Sequence, residues 1–476
     1  MRHRATLSLF LVLSVALLSG CAQSPRSGES PTTVRRTIAE LQALRPEDFT
    51  AALTSRDGER SVFNTELASM RATFALPDGA EFDEKLPTAL SGAALFNVEK
   101  DAARLALLRA LPSLHLKPAA FQRGVLSAAH TQFWNEAAPF VPELLPKITT
   151  AREFAIAAYT LLRASDVEEN RQLIARYMAA NFADQDEPRL IALQQRLRVN
   201  PLEQLRARPP LADLLAALYR PGFPVVFSFQ RRDRERTGMA MVRGADGRFV
   251  RNADGSYFTI AQLAMARTNL PGTITNGNTP QGVFVINGTG TATNRWIGPT
   301  PYLESMLPIE AKVHVFEQSA VDANEAWSED KYLSFLPASW KNYFPIKEAF
   351  LAGRAGRDEI LAHGNTVNPA YYQNEPYFPA APSAGCLVAM EYWSKDDGTL
   401  MHSDQLALVR AFTSSGKDQG YLVVVEVDDR ARSVVLADVV EAVITAEQRL
   451  TRTISAQNRL SKVLWHDVST SFFGLP

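Results

Sequence analysis

The chain has 476 residues, enough for roughly two or three domains. Apolar residues make up 46% and charged residues 21%, which excludes a chain too polar to bury a core. Fifty basic side chains against 51 acidic ones give a net charge of -1, so there is no basic field for a nucleic acid or a polybasic membrane surface, and two cysteines exclude both a disulfide-dense scaffold and a cysteine-only zinc site.

Taken from the N-terminus, Arg2, His3 and Arg4 form a positive start to an apolar stretch from Leu7 to Leu18. That stretch is shorter than the ~20 residues a helix needs to cross a bilayer, so it reads as the apolar region of an export signal. It ends in Leu18-Ser19-Gly20-Cys21, which resembles a bacterial lipobox. The resemblance implies a lipoprotein signal peptide over residues 1–20 and a Cys21 that carries the lipid. Two or three acyl chains hold a protein on a membrane far better than one, since each buried CH₂ contributes ~0.8 kcal/mol. Ala22 rather than aspartate after the cysteine implies the outer membrane of a two-membrane bacterium, with the protein facing the periplasm. Residues 21–35 are small, polar and proline-broken, the composition of a flexible tether.

Residues 36–215 carry apolar side chains at three- and four-residue intervals, as in Ala151-Arg-Glu-Phe-Ala-Ile-Ala-Ala-Tyr, with prolines at 112, 118, 139, 142 and 146 as punctuation. This predicts an all-helical domain of short helices. It holds no motif that carries chemistry; in a scaffold reading of the chain it is the part that recruits a protein partner. His115 and His130 lie here without acidic or thiol companions and read as structural.

The texture changes at Pro221-Gly-Phe-Pro. Val225-Val-Phe-Ser-Phe reads as a strand, and the echo of Gly244-Ala-Asp-Gly in Asn252-Ala-Asp-Gly predicts two tight turns of a β-meander. Further strands are expected at Gly282-Val-Phe-Val-Ile and Leu422-Val-Val-Val-Glu-Val, and His314 alternates with Val313 and Val315 as on a strand. A helix is expected over 403–412. The segment 317–357 is rich in aromatics, among them Trp327, Tyr332, Phe335, Trp340, Tyr343 and Phe344, and reads as an insertion that is either a small core or a lid. Residues 431–476 hold an amphipathic helix, with Val439, Val443, Leu450, Ile454 and Leu464 near one stripe. The predicted fold class is therefore α+β and multi-domain: an all-helical N-terminal domain, a mainly-β domain over 222–430, and a C-terminal helix.

The second thiol is the chemical candidate. Cys386 sits in Pro382-Ser-Ala-Gly-Cys, downstream of His363 in Ile360-Leu-Ala-His-Gly. A cysteine attacks as thiolate, and a neighbouring imidazole is the usual means of making one near neutral pH. Gly385 lets the backbone turn so that peptide N–H groups can face a developing oxyanion, and Ser383 is placed to cap that turn. The competing reading is a buried, inert thiol.

The order histidine before cysteine, the Ser-x-Gly-Cys turn and the upstream Thr279-Pro-Gln-Gly-Val-Phe strand together resemble the L,D-transpeptidase (YkuD-type) catalytic domain over about residues 222–430. The resemblance implies Cys386 as nucleophile, His363 as base, the Gly364 carbonyl as the group that orients the imidazole, and Gly385 and Cys386 as N–H donors. It implies no metal and no cofactor. The substrate would be a peptidoglycan stem peptide, attacked to give a thioester that an amine acceptor or water resolves in cell-wall remodelling. Three features depart from the family pattern: Ala384 stands in place of a histidine, Val388 in place of an arginine or asparagine, and the stretch from Gly282 to His363 is long. Ala384 and Val388 are what favour the alternative, a non-catalytic peptidoglycan-binding or scaffold lipoprotein. The remaining histidines, including His402 and His466, lack metal-ligand spacing.

Overall fold

A computed structural model describes residues 35–182, 186–319 and 324–453. The expected signal peptide, Cys21 and all but the end of the tether lie outside the described residues, as do His466 and the C-terminal pattern beyond 453.

The fold is mixed: helices first, then a β-rich region, then a C-terminal helix. The helical part runs from a short helix at Ile38–Ala43 to one at Leu211–Leu215. Arg56–Phe74, Ala80–Phe96 and Ala119–Gln132 each bury one stripe in a shared core, and Ala151–Ala164, buried at every position from 153 to 162, runs through it. Thr37 opens the first helix with a capping box, its side chain accepting from the Glu40 N–H while Glu40 reaches back to the Thr37 N–H. That helix leaves the helical core: Leu41 packs with the β region, and Phe49 packs with Leu400 and Leu406.

Among the described residues ten strands follow: β1 Val225–Arg231, β2 Gly238–Arg243, β3 Ile260–Leu263, β4 Gly282–Thr291, β5 Pro301–Met306, β6 Ala362–His363, β7 Leu387–Ala389, β8 Glu391–Trp393, β9 Leu400–Ser403 and β10 Gly420–Asp428. Eight of them close into a barrel in the order β1-β10-β4-β5-β6-β7-β3-β2, and β8 and β9 form a separate ribbon. Gly247 and Gly255, both at φ 83°, make the two turns of the meander between β2 and β3, where the Asp-Gly pairs predict them.

The near-continuous apolar runs of β1 and β10 arise because both faces of the sheet are covered. Val226, Leu422 and Val424 join Phe284, Ile286 and the helix Asp404–Thr413 in one core. Their alternates Val225, Phe227, Phe229, Val423 and Val425 join a second core with Phe316, Tyr332, Trp340 and, near the C-terminus, Val439, Val443 and Ala446. The aromatic segment is thus a core rather than a lid: none of its seven aromatic side chains lines a cleft at Cys386. His314 is corrected as well: Val313–Phe316 is one helical turn, because Lys312 starts a short helix in which Phe316 turns into the core.

The helical core and the β region are continuous. Leu263, Met265, Leu270, Ile274, Tyr372 and Tyr377 belong to the same cluster as Phe96, Leu126 and Phe154. Tyr372 donates its hydroxyl to the Leu95 carbonyl at 2.6 Å, and Asn97 donates to the Tyr371 carbonyl at 3.0 Å. The segments 264–278 and 366–382, which flank the site described next, are therefore held against the helices.

Candidate active site

Two very short parallel strands create the site. β6 pairs with β7 so that Ala362 faces Leu387 and His363 faces Val388. This register places Cys386, the residue just before β7, opposite Leu361. Residues two apart share a face of a strand, so the side chains of Cys386 and His363 emerge on one side as a diagonal pair. They meet in a hydrogen bond. Val388, directly across from His363, gives the imidazole an apolar neighbour.

Both groups are buried, Cys386 at 2% exposure and His363 at 3%. The His363 Nδ1–H donates to its own neighbour's carbonyl, that of Gly364, which leaves Nε2 as the nitrogen for the sulfur. Burial works to lower the His363 pKa, but the hydrogen bond and charge of Cys386, the Gly364 carbonyl and the charge of Glu391 together carry it above its ordinary value. The Leu361 N–H points at Sγ from 3.4 Å, a donor that supports negative charge on sulfur, and the Glu359 carbonyl lies 3.5 Å away.

The turn before Cys386 is over-determined. Ser383 Oγ accepts from the Gly385 N–H at 3.0 Å and donates to the Cys386 carbonyl at 2.9 Å, while Thr279 Oγ1 donates to the Gly385 carbonyl at 2.9 Å. Gly385 has φ 129°, and a Cβ there would meet Arg357 Nη2 at 2.5 Å. Glycine is required on both counts. Arg357 is itself buried and donates to the carbonyls of Gly272, Gly277 and Asn278, pinning the loop beside the turn. Ser383 caps the turn as its position suggests. The Gly385 N–H, expected to face an oxyanion, donates to Ser383 Oγ.

Glu391 is the functional candidate that sequence reasoning missed. It lies on β8 beneath Gly364, 7% exposed, and a Cβ on Gly364 would collide with its carboxylate at 2.1–2.3 Å. Burial pushes its pKa up to about 7, against the opposing hydrogen bond from Ser403 and the charge of His363. Ser403 Oγ donates to Oε1 at 2.7 Å. Cys386, His363, Gly364 and Glu391 thus form one buried line. The only sequence signal for Glu391 was a lone acid in the apolar run Leu387-Val-Ala-Met-Glu-Tyr-Trp.

Two clefts meet at Cys386. One, of about 520 Å³, is lined by His363, Asn365, Trp296, Arg267 and Val388. The other, of about 240 Å³, lies on the Ala384–Gly385 side and is lined by Thr275, Asn276 and Glu359. A nucleophile and a base in contact, at the floor of an open cleft, can carry acyl transfer. Among the described residues no cluster of three or more His, Cys, Asp or Glu side chains could hold a metal ion, and no helix is long and apolar enough to cross a membrane. No family model, no curated protein and no solved structure matches this chain.

Proposed function

We propose that the chain is a cysteine-dependent L,D-transpeptidase acting on peptidoglycan stem peptides, exported and anchored through a lipid on Cys21. The observation that carries the reading is the contact of His363 with Cys386 where two clefts meet. His363 Nε2 takes the thiol proton as Sγ attacks the carbonyl of a stem residue. A carbon–sulfur bond forms, the carbon–nitrogen bond of the terminal residue breaks, and the imidazolium returns its proton to the leaving amine. An acceptor amine then attacks the thioester, gives its proton to His363 and expels the thiolate. With water as acceptor the product is a trimmed stem.

The test is incubation of purified protein with muropeptides, read by mass spectrometry. The expected result is loss of the terminal residue or a new cross-link, with a thioester adduct on Cys386. Cys386→Ala should abolish both while its circular dichroism stays unchanged; an equal rate in that variant overturns the proposal. A second reading, a non-catalytic wall-binding scaffold, is favoured by the engagement of the Gly385 N–H and by Ala384. It predicts intact muropeptides and retained binding.

A further inference from the structure

A third cavity, of about 1350 Å³, joins the other two and is walled on its far side by the helical part. It runs between the helices Ala80–Phe96 and Ala119–Gln132 and ends at Ser383 and Ala384. It shares Arg267, Ser383 and Ala384 with the cleft of His363, and Thr275, Asn276 and Ala384 with the smaller one. Neither it nor the smaller cleft is lined by His363.

Acyl-transfer chemistry assigns the two sides. The departing amine receives a proton from His363 and the arriving amine gives one up to it, so both occupy the cleft that His363 lines. The acyl portion stays bonded to Sγ and extends the other way, past Ala384. The lining there suits a peptide that bears carboxylates. Among the described residues that wall the groove there are two arginines and no acid. Arg123 leans on the buried Glu153 through Nη1 at 3.4 Å, and Arg267 stands where the groove meets the turn of Cys386. Ser91 and Ser127 offer hydroxyls from the two helices. Asn276, at φ 61°, lines both the groove and the small cleft, and its Oδ1 is buried without a hydrogen-bond partner.

We propose that this inter-helix groove is a binding subsite for the acyl-donor strand, a carboxylate-bearing peptide whose scissile end reaches Cys386, so that the helical part is half of the substrate site. The inference rests on the acyl-transfer reading above for its polarity.

The test uses the full chain with Cys386→Ala and a disaccharide tetrapeptide as probe, with dissociation constants measured by calorimetry. Ser127→Tyr, which fills the groove, should raise the Kd about tenfold or more, the loss of about one good subsite. Arg123→Gln should weaken the acidic probe about three- to tenfold and leave the same peptide with amidated carboxylates unaffected. Ser91→Tyr is a second blocking variant on the opposite helix. Iodoacetamide, too small to need the groove, reports that Cys386 is properly housed in each variant built on the wild-type thiol. Unchanged Kd values in folded Ser127→Tyr and Ser91→Tyr overturn the groove assignment even if the wild type is acylated. A wild type that binds the probe through the groove but never forms a thioester overturns the chemical reading alone.

Discussion

Gly364 and Glu391 fix what His363 can do. A side chain at 364 would displace the carboxylate beneath it, so the glycine is the condition for a negative group close to the imidazole. Replacing Glu391 by glutamine removes that charge and lowers the His363 pKa. The acid limb of the activity profile, where the imidazolium gives up its proton to become the base, should move to lower pH. Gly364→Ala should shift that limb in the same direction, because it expels the same carboxylate. Profiles of thioester formation against pH check both; a limb that stays in place in the folded Glu391→Gln variant removes Glu391 from the mechanism. Cys386 and His363 were legible in the sequence because thiol and imidazole advertise their chemistry by residue type. Glu391 was not, since an acid becomes informative only once β8 has folded under Gly364.

At the level of elements, the barrel is sealed by the helix Asp404–Thr413. Ser403 caps it through the Leu406 N–H, and Gln405 donates to the carbonyls of Pro301 and Ala362, so the helix start holds β6 beside β5. Phe412 is fully buried against the barrel strands. Phe412→Ala should cost about 3–5 kcal/mol, read as a lower urea midpoint with an unchanged slope. The strands β1, β4 and β10, this helix and the two Asp-Gly turns could be read from alternation, β-branched residues and turn chemistry. β6 and β7 could not: strands of two and three residues carry no periodic signal, and only barrel closure defines them. The aromatic segment was ambiguous because burial depends on what the chain folds against. The strand expected around His314 failed for a different reason: alternation over three residues does not exclude a helical turn.

At the scale of the whole molecule, a buried ionic cluster fastens the C-terminal helix to the barrel. The Arg231 side chain, fully buried, bridges Asp428 and Asp438, and Arg430 and Arg432 close on the same two carboxylates. Burial alone would raise the pKa of Asp438, but hydrogen bonds from Arg432, the Val435 N–H and Arg231 outweigh it and hold the carboxyl well below the usual range. Asp428 is lowered as well. Folded-state values below the unfolded ones mean that this stability is present above the ordinary carboxylate pKa of about 4 and is lost as pH falls through the lowered values. Asp438→Asn should cost about 3 kcal/mol at pH 7, by stranding part of a buried guanidinium, and should flatten the loss of stability in acid; urea midpoints between pH 7 and pH 3 check both. Cys386 and His363 are aligned by backbone pairing of β6 with β7, whereas the segments that line the clefts connect those strands or belong to other elements. Alignment and recognition are thereby uncoupled: the stretch 366–382 and the facing helices could be exchanged to retarget the molecule, with Gly364, Ser383 and Gly385 kept and the sulfur and imidazole still arriving in step.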